Sequence, residues 1–228
     1  MEVLVVGNTA YVDDDFCAKA FPGDHVKVVA AQDTRRDESS PHASWKELLQ
    51  HLEQAYEFDR VVYLSNYLTP HTDTVGDIEL LRSVFRTCAG RRVQLLYVAG
   101  PAGAEGAADA AGRTGKGIIA HAANDLCRYY AAREGVQTKI LRVPFLYTAS
   151  AALEDPFLVP MFDACSTGSA ALQGAQDAAF PLLCAEELSV LVRRIFDSWD
   201  GNFETLDVAD TFRHTAGEVG EALQALFP

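Results

Sequence analysis

The chain is short of positive charge. Its 228 residues carry 19 Lys and Arg against 32 Asp and Glu, a formal net charge of −13. Surfaces that grip nucleic acid or anionic membranes are basic, so neither partner class is expected. Nothing approaches the ~20 consecutive apolar residues of a membrane-spanning helix. A basic stretch with a short apolar core is also missing ahead of the first strand, so the expected location is cytoplasmic. The five cysteines (Cys17, Cys88, Cys127, Cys165, Cys184) are scattered, odd in number and without C-x-x-C spacing. In a reducing compartment they read as small buried hydrophobes. The six histidines form no pair at helical or finger spacing, and no metal site is expected. No internal repeat is visible.

What is present is an alternation of strands and helices. Hydrophobic residues make up 49% and charged residues 22% of the chain, which suits one sizeable α/β domain with, at most, a small appendage. Val3–Gly7 and His25–Ala31 are continuous apolar or β-branched runs, as expected of parallel strands covered on both faces. Gln32–Pro41 has loop chemistry. Ser44 is a plausible N-cap with Glu47 three residues on, and Trp45, Leu48, Leu49, Leu52 and Tyr56 form a helical stripe. Arg60–Ser65 is the next strand.

A helix with Ile78, Leu81, Val84 and Phe85 on one face then leads to a strand at Arg92–Gly100. Pro101–Gly117 is rich in Gly and Ala and reads as a surface loop. A helix from about Ile118 to Arg133 ends at Gly135, a natural left-handed cap. Thr138–Thr148 reads as one strand, within which Pro144 restricts Val143 to extended geometry. After a less regular stretch come a helix with Leu188, Leu191, Val192, Ile195 and Phe196 on one face, a short strand at Phe203–Val208, and a closing helix at Ala216–Leu226. This order implies an α/β fold: a Rossmann-type, doubly wound parallel sheet with a short C-terminal α/β appendage. Residues 1–150 form the Rossmann-like part, and 151–228 pack on it within one structural unit.

The first strand, the turn at Gly7 and the following helix occupy the place of a dinucleotide-binding glycine turn. Ala10 and Asp13 stand where the second and third glycines belong, and Asp13, Asp14 and Asp15 open the helix. A helix N-terminus ordinarily receives the cofactor's pyrophosphate. Three carboxylates there satisfy the dipole themselves and repel an anion.

Four segments carry a resemblance. RVVYLSN (60–66), TVGDIELLRSVFRTCAGRRVQLLYVAG (74–100), AHAANDLCRYYAAREGVQTKILRVPFLYT (120–148) and FPLLCAEELSVLVRRIFDS (180–198) follow one another in the order and spacing of a known family. The chain resembles an extended short-chain dehydrogenase/reductase of the NAD-dependent epimerase/dehydratase type over nearly its whole length. Active members use a Tyr-x-x-x-Lys pair on one helix face and a Ser or Thr on the preceding strand. That pairing lowers the phenol's pKa for proton transfer. In the corresponding register Lys116 takes the tyrosine position, Ala120 the lysine position and Ala99 ends the strand that should carry the hydroxyl. None of the eight tyrosines is followed by lysine four residues later. The resemblance therefore implies a fold without its catalytic set.

The candidate cofactor-binding residues are Gly7, Asn8, Thr9, Arg35, Arg36, Ser65 and Asn66, with NAD(P) as the cofactor they would hold. Gly7 either faces a nucleotide or simply makes the strand–helix turn. Arg35 and Arg36 either accommodate a 2′-phosphate or belong to a solvated loop with Asp33, Asp37 and Glu38. Ser65 and Asn66 end a strand where open α/β sheets bind ligands. Lys116 could bind an anion, and His121 sits near it; both also read as ordinary solvated or packed residues. Tyr147 resembles the family tyrosine after the sixth strand and reads as packing.

Three functions stay open. The first is a catalytically inactive relative that serves as a nucleotide or small-molecule sensor or scaffold. The second is an active NAD(P)-dependent oxidoreductase or epimerase with a rearranged site using Lys116 or His121. The third is the N-terminal module of a larger assembly, with a homodimer or another protein as partner.

Overall fold

A computed structural model describes residues 1–7, 11–30, 57–65, 74–100, 115–148, 179–208, 213–215 and 217–219. Six strands form one parallel sheet: β1 (Glu2–Gly7), β2 (His25–Ala30), β3 (Arg60–Leu64), β4 (Gln94–Ala99), β5 (Gln137–Arg142) and β8 (Phe203–Asp207), in the order β2-β1-β3-β4-β5-β8. The helices are α1 (Asp14–Ala20), α2 (Thr74–Cys88), α3 (Gly115–Arg133) and α4 (Ala185–Asp197). The expected α/β class and parallel doubly wound sheet are what the chain adopts.

The continuous apolar strands are explained by coverage on both faces. Alternate residues of β1 point into different cores. Leu4 and Val6 join Tyr63, Leu95, Tyr97 and Ile140 beneath α2 and α3, which contribute Leu80, Val84, Phe85, Cys127 and Tyr130. Val3 and Val5 join Val62, Leu64, Leu96, Val98 and Leu141 beneath α1 and α4, which contribute Phe16, Leu188, Val192 and Phe196. Each such large side chain, moved out of water, stabilises by about 1.5–3 kcal/mol.

The Thr138–Thr148 expectation is corrected. It is two strands: β5 ends at Arg142, and β6 (Phe145–Tyr147) joins a smaller set with β7 (Ala179–Cys184) and β9 (Arg213–Thr215). Pro144 lies between them. It has no N–H for a ladder and holds Val143 extended; the last main-sheet bond is donated by Val143 N–H to the Ala99 carbonyl, at 2.9 Å. In the smaller set β6 and β7 run parallel, whereas β7 and β9 are antiparallel.

A second correction concerns α3, which starts at Gly115 and not near Ile118, so Lys116 is helical. Two glycines in a first turn cost about 1 kcal/mol each. The buried positions Ala123, Cys127, Tyr130 and Ala131 further along anchor the helix. It ends as expected, with Gly135 at φ +69°.

Beyond residue 150, β8 pairs with β5 in the main sheet and α4 packs on its face. The helix expected at 44–56 lies outside the described residues, as does most of 101–117. Of the closing helix only 217–219 is described, and it is helical.

Candidate functional site at the β1–β3 switch point

The chain leaves β1 for β2 on one side and crosses back to β3 on the other, since both flank β1. A crevice outside the C-terminal ends of the strands at such a switch point is where open α/β sheets bind ligands. Gly7 ends β1 opposite Leu64, the last residue of β3. Its φ is +108°, and a Cβ built there would lie 2.1 Å from the Leu64 carbonyl oxygen. The close approach of the two strands, with no ligand involved, is enough to demand glycine.

The helix after this turn is capped by its own acid. Asp13, extended at φ −113° and ψ −177°, accepts a hydrogen bond from the Phe16 N–H at 2.7 Å. Its carbonyl accepts the first helical bond, from Cys17 N–H at 3.1 Å. Asp14 and Asp15 follow in the first turn, and Lys19 pairs with Asp15 at 2.5 Å.

Ser65 follows β3 directly and is buried. Its hydroxyl donates to Asp77 Oδ2 at 3.1 Å, and its N–H donates to the Val98 carbonyl at 3.0 Å. Tyr63, also buried, donates to Asp77 Oδ1 at 2.5 Å and stands 2.8 Å from the Asp77 carbonyl. The Tyr97 ring packs 5.8 Å from that of Tyr63. Burial, then the nearby Asp77 carboxylate, pushes both phenols upward. Both are held protonated, the reverse of what proton abstraction by a phenol requires.

Asp77 is the residue that sequence reading passed over. A signal existed: it occupies the stripe position before Leu80, Leu81 and Val84 on α2, where an apolar residue is expected. Its place in the first turn also suits a negative charge at the helix N-terminus.

On the neighbouring elements, β4 ends at Ala99, and α3 carries Lys116 and Ala120 one turn apart. Ala99 and Ala120 are half-buried, and His121 is exposed. Tyr147 ends β6 opposite Cys184 at the end of β7. Burial and then Cys184 raise the Tyr147 phenol; burial and the contact with Glu186 raise the Cys184 thiol. A thiol held protonated is a poor nucleophile. Of the candidate binding residues, the structure brings Gly7 and Ser65 together at the ends of β1 and β3. Asn8, Thr9, Arg35, Arg36 and Asn66 lie outside the described residues. Among the described residues no group of three or more His, Cys, Asp and Glu is placed to hold a metal ion. No described helix is long and apolar enough to cross a membrane.

No protein-family model matches the chain, and no curated protein matches its sequence. Solved structures do match its fold. The Bordetella bronchiseptica enzyme WbmF, in complex with NAD+ and UDP, superposes with a TM-score of 0.73 at 14% identity, over 99% of this chain and 76% of that one. The UDP-glucose 4-epimerase of Thermotoga maritima, with UDP-glucose, gives 0.70 at 12% identity, over 99% and 82%. The UDP-glucuronic acid 4-epimerase of Bacillus cereus, in complex with NAD, gives 0.68 at 12% identity, over 99% and 84%.

Two of these structures hold NAD+ or NAD, which raises the question of whether a dinucleotide suits this chain. The α1 donor set does not fit one. The Phe16 N–H is taken by Asp13, and two further carboxylates crowd the same turn. What the chain shares with these enzymes is architecture: its fold is theirs over 99% of its length.

Proposed function

We propose that the chain is a catalytically inactive relative of the nucleotide-sugar epimerases that works as a sensor or scaffold, binding a nucleotide or related small molecule at the β1–β3 crevice. The observation that carries this reading is the content of three positions. Ala99 ends β4, and Lys116 and Ala120 stand one turn apart on α3, where the resemblance puts the hydroxyl, the tyrosine and the lysine. Alanine at two of the three supplies neither a proton nor a charge. The third carries an amine in place of the phenol. Tyr63 and Tyr97 do not replace it, since both phenols are buried in the core and pushed upward.

The test is a thermal-shift titration with nucleoside monophosphates, diphosphates and UDP-sugars, followed by chromatography of the recovered ligand. A bound ligand at a hundred times its Kd raises stability by about 2.7 kcal/mol. The expected result is stabilisation by a ligand recovered unchanged. A ligand recovered chemically altered contradicts the reading.

A further inference from the structure

We infer that Asp13 fills the anion seat of this fold with its own carboxylate, so that the chain refuses NAD(P) and its crevice admits only ligands that place no diphosphate on α1. This deepens the preceding reading, on which the crevice itself rests, by removing dinucleotides from its ligand class.

Two observations meet here. In a Rossmann unit the backbone N–H groups opening the helix after β1 point at the pyrophosphate, and the helix dipole favours its charge. In this chain the Asp13 carboxylate accepts the N–H of Phe16 at 2.7 Å, so a donor that would face the phosphate is already bonded. Asp14 and Asp15 add two more carboxylates in the same turn, and Asp15 pairs with Lys19 at 2.5 Å. The helix is also only seven residues long, which leaves little dipole to offset that charge. The second observation is the geometry of Gly7. The first glycine of such units makes the tight strand–helix turn, and here Gly7 is required by the Leu64 carbonyl oxygen, 2.1 Å from any Cβ. Its presence follows from strand packing and is no sign of a nucleotide.

The arrangement is self-consistent without a cofactor. Asparagine caps helices as well as aspartate does. Replacing Asp13 by Asn therefore keeps the cap and removes the charge, and Asp14→Asn removes a second charge while leaving the Lys19–Asp15 pair in place.

The experiment is a calorimetric titration of the full chain with NAD+ and NADP+, at low and high salt, for the wild type, Asp13→Asn and Asp13→Asn/Asp14→Asn. Circular dichroism and the melting temperature report whether each variant is folded. The wild type is expected to show no saturable heat at millimolar dinucleotide. The double variant is expected to gain affinity by about tenfold or more at low salt, a gain that shrinks as salt screens the charges. If the double variant fails to fold, the same gain, smaller in size, is read from Asp13→Asn. Micromolar binding by the wild type overturns the inference, as does a folded variant with no gain. Wild-type binding without turnover would sink this inference and leave catalytic inactivity standing. Turnover of a nucleotide sugar with no dinucleotide bound would do the reverse.

Discussion

Gly7 and Leu64 face each other at the ends of β1 and β3 so closely that a Cβ on residue 7 would meet the Leu64 carbonyl oxygen at 2.1 Å. The neighbour is backbone in the middle of a parallel sheet and cannot swing away. Alanine at this position adds overpacking to a φ of +108°. The expected loss for Gly7→Ala is about 3 kcal/mol or more, read as a fall in the urea midpoint with an unchanged m-value.

Much of this architecture was legible because burial on both faces leaves a plain mark. Val3–Gly7, Arg60–Ser65 and Arg92–Gly100 read as strands from apolar continuity alone, and β1, β3 and β4 lie there. The position of Gly7 was visible as a turn, but the Leu64 carbonyl that demands it was not, because that contact joins strands more than fifty residues apart. Pro144 was recognised as a local restriction, yet a single sequence does not show that the chain changes sheets at that residue. The strand β9 was missed because it is only three residues long, and β7, though six residues long, because it carries Pro181, which weakens a strand pattern. Asp77 is legible only as a charge on the apolar stripe of its helix. Only the fold reveals that Tyr63 and Ser65 reach it.

The Asp77 cluster makes a stability prediction. Asp77→Ala would remove the carboxylate to which the buried hydroxyls of Tyr63 and Ser65 donate at 2.5 and 3.1 Å, leaving Tyr63 only the backbone carbonyl of residue 77 at 2.8 Å. The expected cost is about 2–4 kcal/mol. Tyr63→Phe removes one partner without leaving a new unsatisfied donor and should cost about 1–2 kcal/mol. Combining the two should cost less than their sum, measured by urea unfolding of the four species in a double-mutant cycle.

Alkaline pH should unfold the chain through its core. The Cys88 thiol is pushed by burial from its ordinary 9.0 to about 12. Burial raises Cys127, Tyr63 and Tyr97 as well. Below the ordinary values these groups are protonated in both folded and unfolded chains and favour neither. Above about pH 9 the unfolded chain loses protons that the folded chain keeps, so stability falls with pH. The slope is about 1.4 kcal/mol per pH unit for each group engaged. Urea midpoints at pH 8, 9.5 and 10.5 should decline progressively, and Cys88→Ala should flatten part of the slope.

Restoring one member of the lost set should not restore chemistry. Lys116→Tyr puts a phenol on the first turn of α3, but Ala120 leaves it without its ammonium and Ala99 without its hydroxyl. With UDP-glucose and NAD+ the variant is expected to give no product above a protein-free control. Detectable turnover would show that 116 and 120 are not the positions assigned to them.

The most direct test of catalytic inactivity uses the wild-type protein. It is incubated at micromolar concentration with UDP-glucose or UDP-glucuronic acid and NAD+ or NADP+, and the sugar nucleotides are resolved by chromatography over hours. The account predicts unchanged substrate and no absorbance of reduced nicotinamide. An epimerised or oxidised sugar, formed in proportion to the protein added, would contradict it.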